Sequence, residues 1–337
     1  MTYDDANDPG AGGRQQVVAD GGSVDGAPGT VALPSGTSGI GFNDLRFSTT
    51  LEKVIVPAGR TGNLDLVDPA TLTASAVPGF TMVAAYDGTD TVGTTSADEG
   101  NGLVYAMDQT SMKLSVVDPK VGQIVSSAPL TDAPVIVRFV KPNNEVWVTG
   151  TNGRIDVFSV SSASPPALTH SMFVSTAGGP VSLQINATLG IAYTNTAAGE
   201  TLPIDLGTHT AGAPMKNGCD KSRGLALDEA RGFLFVGCDE GKISVLDIAH
   251  GGAVLSTIVV GEGIDELAYD PTRLRLYAPG ARSSTMAVVA VSIGGKLSQL
   301  GTIAIPPGAH CVTVDDHAMT YVCDAESGQL LAFADRY

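Results

Sequence analysis

Phe235-Val236-Gly237-Cys238 has six counterparts along this chain: Val54-Ile55-Val56-Pro57, Tyr105-Ala106-Met107-Asp108, Trp147-Val148-Thr149-Gly150, Ala192-Tyr193-Thr194-Asn195, Tyr277-Ala278-Pro279-Gly280 and Tyr321-Val322-Cys323-Asp324. Each follows an apolar run and a turn, and each precedes a polar turn and a second apolar run. The copies recur at intervals of roughly 45 residues, a period that marks solenoids and propellers. Every unit reads as strand alone, which selects a β-propeller of seven blades.

Within a unit, four antiparallel strands are expected, labelled a to d from the axis outward. In the fifth they read Gly224-Leu225-Ala226-Leu227, Phe233-Leu234-Phe235-Val236, Ile243-Ser244-Val245-Leu246 and Val254-Leu255-Ser256-Thr257-Ile258. Polar turns such as Asp228-Glu229-Ala230-Arg231-Gly232 separate them. The last unit has only three strands, ending at Leu330-Leu331-Ala332-Phe333. Thr30-Val31-Ala32-Leu33-Pro34 has the character of a fourth strand and would close the ring, removing an exposed sheet edge. The expected organisation is a Gly- and Asp-rich disordered tail over 1–28 and a propeller over 29–337. A ring tolerates this length because each unit packs mainly on its neighbours.

A net charge of −16 argues against nucleic acid, whose phosphates are bound by clustered Lys and Arg. It also argues against adsorption to anionic lipid. No apolar run is long enough for a membrane helix. Met1-Thr2-Tyr3-Asp4-Asp5 does not read as a secretion signal. The four cysteines fall into two pairs, each bracketing strands a and b of one blade. Cys311 and Cys323 face each other across an antiparallel pair, within disulfide reach. Cys219 and Cys238 repeat the arrangement in blade 5. Two disulfides are expected, with reduced buried thiols as the alternative. A disulfide-bearing chain belongs in an oxidising compartment, so the expectation is a periplasmic or extracellular protein whose signal peptide is not part of this sequence.

The repeat resembles the YVTN family, the YncE-like seven-bladed propellers of bacterial envelopes. The resemblance rests on Val146-Trp147-Val148-Thr149-Gly150, on Gly224-Leu225-Ala226-Leu227-Asp228 with Leu234-Phe235-Val236-Gly237-Cys238, and on Asp265-Glu266-Leu267-Ala268-Tyr269-Asp270. It implies the fold, and in some members a disulfide placed like Cys219–Cys238. It implies little about function, since propellers host many activities.

Signatures for acyl transfer, zinc proteolysis, nucleotide phosphates and a complete calcium loop are absent. Asp5-Ala6-Asn7 opens like a calcium loop, but Pro9 takes a ligand position. His170, His209, His250 and His317 fall on outer strands or bottom turns and read as solvent-exposed. Only His310 falls at the top of the axial channel.

Counting five places back from the strand-end positions Ser48, Asp98, Val140, Asn186, Asp228, Asp270 and Asp315 gives a channel ring of Asn43, Gly93, Val135, Val181, Arg223, Asp265 and His310. The next ring holds Asp44, Thr94, Ile136, Ser182, Gly224, Glu266 and Cys311. One side is polar and the other apolar, the make-up of a small-molecule pocket. Arg223, Glu266, Asn43 and Asp44 are candidate ligand-binding residues, with His310 and Asp265 as candidate catalytic groups. Charged groups also line water-filled channels, and Arg223 with Asp265 reads equally as a neighbouring ion pair.

Three functions follow. The first is a secreted or periplasmic propeller that binds a small ligand or protein partner at the channel top. The second is a lactonase-like hydrolase in which Asn43, Asp265 and His310 hold one divalent metal ion that activates water. The third is an electron-transfer or amine-dehydrogenase-type subunit, for which no haem motif or cofactor precursor is present. For the first of these no cofactor is required.

Overall fold

A computed structural model describes residues 27–176 and 178–337. The tail, with its Asp5-Ala6-Asn7 segment, lies outside the described residues apart from Ala27 and Pro28. Seven antiparallel sheets follow one another along the chain, and six of them run a-b-c-d in sequence order. The seventh is built from both ends. Gly29–Ala32 pairs antiparallel with Gln329–Ala334, Gly29 facing Ala332 and Ala32 facing Gln329. It is the outer strand of a blade whose inner three are Val312–Val314, Met319–Asp324 and Gln329–Ala334.

Strands b are buried on both faces, which is why they read as near-continuous apolar runs. In blade 3, Val146 and Val148 pack towards blade 2, where Tyr105 and Met107 lie. Trp147, pointing the other way, packs towards blade 4 with Ala192 and Ile204. Trp147, Phe235 and Tyr321 are completely buried, and each such side chain contributes roughly 2–3 kcal/mol of apolar burial.

Turns are fixed by acceptors at the ends of strands a. Ser48, Glu99, Asn186, Asp228 and Asp270 each accept a backbone N–H three residues on. Glu99, not Asp98, therefore holds the turn-fixing position in blade 2, and the count around the channel ring slips by one residue there. Strand a also bulges in blades 2, 3 and 5. In blades 1, 4, 6 and 7 it is only three residues long. Asn43, Asp265 and His310 consequently sit in the loops leading into strands rather than on them.

Two histidines correct their expected exposure. His209 is half-buried, with Nε2 2.9 Å from Glu145 Oε2 and its ring against Trp147. His170 is half-buried between Phe158 and Phe173. His250 and His317 are exposed turn residues.

Cys219 and Cys238 form a disulfide, with a Cα–Cα distance of 5.3 Å. The second expected disulfide is not formed: Cys311 and Cys323 are buried free thiols. The two sites differ in register. Cys238 faces Ser222 across the ladder, so Cys219 lies in the preceding loop, where its backbone is not fixed by strand pairing. Cys311 is held directly opposite Cys323, whose N–H donates to the Cys311 carbonyl.

Candidate functional site

The axial channel narrows around a cluster of charged side chains supplied mainly by strands a. Arg138, in the otherwise apolar strand Pro134–Val140, turns inward and meets Asp44 from the loop before strand a of blade 1. Nη1 lies 2.6 Å from Asp44 Oδ2 and Nη2 3.2 Å from Oδ1. Ser96 Oγ donates to the same Asp44 Oδ2 at 2.6 Å and accepts from Val137 N–H at 3.1 Å. Beside it Arg46 reaches Asp98 at 3.4 Å, and Asp98 Oδ2 accepts the Phe139 N–H at 2.8 Å. Burial opposes charge on Arg138, but the carboxylates of Asp44 and Asp98 more than offset it and hold the guanidinium above its ordinary pKa.

The cluster opens on a cavity of about 230 Å³, lined among others by Asp44, Arg46, Arg138, Gln184, Glu266 and Thr313. Gln184 Nε2 donates to the Leu225 carbonyl at 2.8 Å, which leaves its carbonyl oxygen uncommitted. Glu266 is delivered by close backbone packing. A Cβ on Gly224 would sit 2.5 Å from the Asp265 carbonyl oxygen, so only glycine lets strand a of blade 5 run against this loop. The arginines are spent on Asp44 and Asp98, and neither pairs with Glu266. Burial pushes the Glu266 carboxyl well up, the Asp44 carboxylate adds to the rise, and Arg138 offsets it only in part. Glu266, partly buried, faces the cavity with its neutral form favoured.

Of the residues expected from the sequence, Asp44 and Glu266 line this cavity. Asn43, Arg223, Asp265 and His310 do not line it. Asn43 Nδ2 donates to the Val135 carbonyl at 3.0 Å, tying the loop of blade 1 to blade 3. Arg223 and Asp265 pair at 3.7 Å, both substantially exposed. His310 Nδ1 lies 2.8 Å from the Gly308 carbonyl and Nε2 2.9 Å from the Phe42 carbonyl. A ring between two carbonyl oxygens must donate from both nitrogens, so His310 is an imidazolium. Burial lowers its pKa, but the neighbouring Cys323 sulfur and Asp265, with the Gly308 bond, bring it up to about 9. An imidazolium offers neither a lone pair to a metal nor a base to a substrate. In this geometry His310 is not the ligand or general base that its sequence position suggested.

Arg138, Arg46, Asp98 and Gln184 escaped the sequence count, which stopped at the two upper rings. Arg138 carried a signal: an arginine inside an apolar strand is rarely buried unless paired.

No protein-family model matches the chain, and no curated protein matches it. Solved structures do. A chain of the mitotic checkpoint complex is 12% identical, with a TM-score of 0.74 over 98% of this chain and 99% of that one. A chain of Kuenenia stuttgartiensis hydrazine synthase is 12% identical, with a TM-score of 0.71 over 96% and 99%. The Cps50 (Swd1) β-propeller domain of Myceliophteria thermophila is 12% identical, with a TM-score of 0.71 over 90% and 99%. These likenesses define the class as a seven-bladed β-propeller and speak to the fold alone. They leave the YncE-like resemblance unconfirmed.

Proposed function

We propose that this propeller is a secreted or periplasmic binding protein that takes a small, electrically neutral polar molecule into its axial cavity. The observation that supports this most is the cavity wall, where both arginines are paired with carboxylates and Glu266 faces the opening without an ionic partner. Asp44 and Asp98 balance Arg138 and Arg46, so the wall offers no unpaired cation to hold an anion. A hydroxyl-rich or zwitterionic molecule would find donors from Glu266 and acceptors from Gln184 and the carboxylates. The Cys219–Cys238 disulfide suggests an oxidising compartment.

Calorimetric titration with polyols, monosaccharides and zwitterionic amino acids tests this reading. One of these classes should bind the wild type, bind Glu266→Gln with little loss, and fail to bind Glu266→Leu. Binding that Glu266→Leu leaves unchanged, or no binding by any of the three classes, would overturn it.

A further inference from the structure

Away from the cavity, His310, Cys311 and Cys323 bring a ring nitrogen and two sulfurs within 4.8 Å of one another. The group lies in the last blade, on its upper side, where His310 covers the two sulfurs. Both cysteines are fully buried, and the His310 side chain above them is 17% exposed.

This arrangement does not suit a metal ion. Both His310 nitrogens donate to carbonyls, which leaves two sulfurs and an adjacent fixed positive charge. It does suit a thiolate. The Cys311 backbone N–H donates to Cys323 Sγ at 3.2 Å, a donor directed at sulfur where the ladder would otherwise offer a carbonyl. The Cys311 sulfur and the imidazolium both stand within 4.8 Å of the same sulfur. Burial pushes the Cys323 thiol up, but the Cys311 thiol, the His310 charge and the backbone N–H groups outweigh it and bring the thiol below its ordinary value. Burial and the adjacent Cys323 sulfur push the Cys311 thiol well up. One sulfur is thus prepared as a nucleophile and the other as a protonated partner in contact with it.

The geometry points to Cys323 as a peroxide-reactive thiolate, with Cys311 as the thiol that resolves its oxidised form. The substrate class is hydrogen peroxide, the smallest two-electron oxidant of a thiolate, as befits sulfurs that are fully buried. In the first step the Cys323 thiolate attacks the peroxide. An S–O bond forms and the O–O bond breaks, giving Cys323 sulfenic acid and hydroxide, which takes a proton from solvent to become water. In the second, the Cys311 sulfur attacks the Cys323 sulfur. An S–S bond forms, the S–O bond breaks, and the departing oxygen leaves as water with the Cys311 proton. Two thiols are oxidised and one peroxide is reduced. The reduced pair in this structure is the starting state of that sequence.

The test uses the folded full chain, far below its melting temperature, with stoichiometric hydrogen peroxide followed by alkylation and mass spectrometry. Wild type should lose two alkylatable thiols and become lighter by two hydrogens. Cys311→Ser should stop at a sulfenic acid on Cys323 that dimedone traps. In Cys323→Ser, Cys311 should stay reduced. His310→Gln, which keeps a hydrogen-bonding side chain and removes the charge, should react about tenfold more slowly. Thiols that survive peroxide in the folded wild type, or dimedone label on Cys311 instead of Cys323, would overturn the inference. The wild-type result decides the matter even if a variant fails to fold.

Discussion

Arg138 and Asp44 form a two-pronged ion pair, 2.6 and 3.2 Å long, between residues 94 apart in sequence. The bond spans from blade 1 to blade 3, with Ser96 of blade 2 bonded to the same carboxylate. Both side chains are almost wholly buried. Removing one partner leaves an uncompensated charge inside the channel. Asp44→Ala should therefore cost about 3–5 kcal/mol. Replacing both, as Asp44→Leu with Arg138→Met, should cost much less, because two hydrophobic side chains of similar size need no partner. Urea unfolding of the two singles and the double measures the coupling.

Asp65 is the opposite case, a carboxylate with no partner. Neither oxygen bonds to protein, and the side chain is fully buried. It shares a strand face with Val67, which packs into the core between blades 7 and 1. Burial raises its pKa from 3.8 to about 8. The folded state then holds a proton that the unfolded chain releases above pH 4. Stability from this group is complete below pH 4, falls as pH rises, and is lost by pH 8. At about 1.4 kcal/mol per unit, the loss is on the order of 5 kcal/mol. Asp65→Asn should flatten this slope, melting little differently from wild type at pH 4 and higher at pH 8. Parallel pH series of melting temperatures check it.

The Cys219–Cys238 disulfide closes a loop of 19 residues in sequence separation. The chain-entropy account gives such a bridge about 3 kcal/mol. Dithiothreitol should lower the wild-type melting temperature accordingly. The Cys219→Ser, Cys238→Ser double variant should melt at that lower temperature with or without reductant.

The blades were legible because a strand buried on both faces must be apolar throughout, and seven such runs at one spacing leave few other folds. Ring closure was legible for the same reason, since Val31 faces a core that the last three strands cannot complete alone. The site was legible only in part. Asp44 and Glu266 stood at counted positions, but Arg138 acquires its role from a carboxylate 94 residues away, which no local pattern reveals. In blade 2 the adjacent acids Asp98 and Glu99 hid a one-residue slip that only the Gly102 N–H bond resolves. His310 looked like a base until the Phe42 carbonyl, 268 residues distant, took its second nitrogen. The cysteine pairs look alike in their placement about strands a and b and differ in register, a property of the folded ladder.

Ring closure yields the last prediction. Gly29–Ala32 is the outer strand of blade 7, and Val31 is fully buried against Leu330 and Val67. A chain beginning at Pro34 would lose that burial and the ladder bonds to Gln329–Ala334. It would also expose a row of unpaired N–H and C=O groups, an edge that recruits other chains. Val31→Asp keeps the strand but places a charge in the same core, costing about 3 kcal/mol or more through lost burial and desolvation. Both variants should melt well below wild type. Only the shortened chain should elute as concentration-dependent oligomers, whereas Val31→Asp, with its edge still covered, should remain at the wild-type elution volume. Size-exclusion chromatography with light scattering, alongside thermal melts, separates the two effects. Equal oligomerisation by both would mean that edge exposure is not what the N-terminal strand prevents.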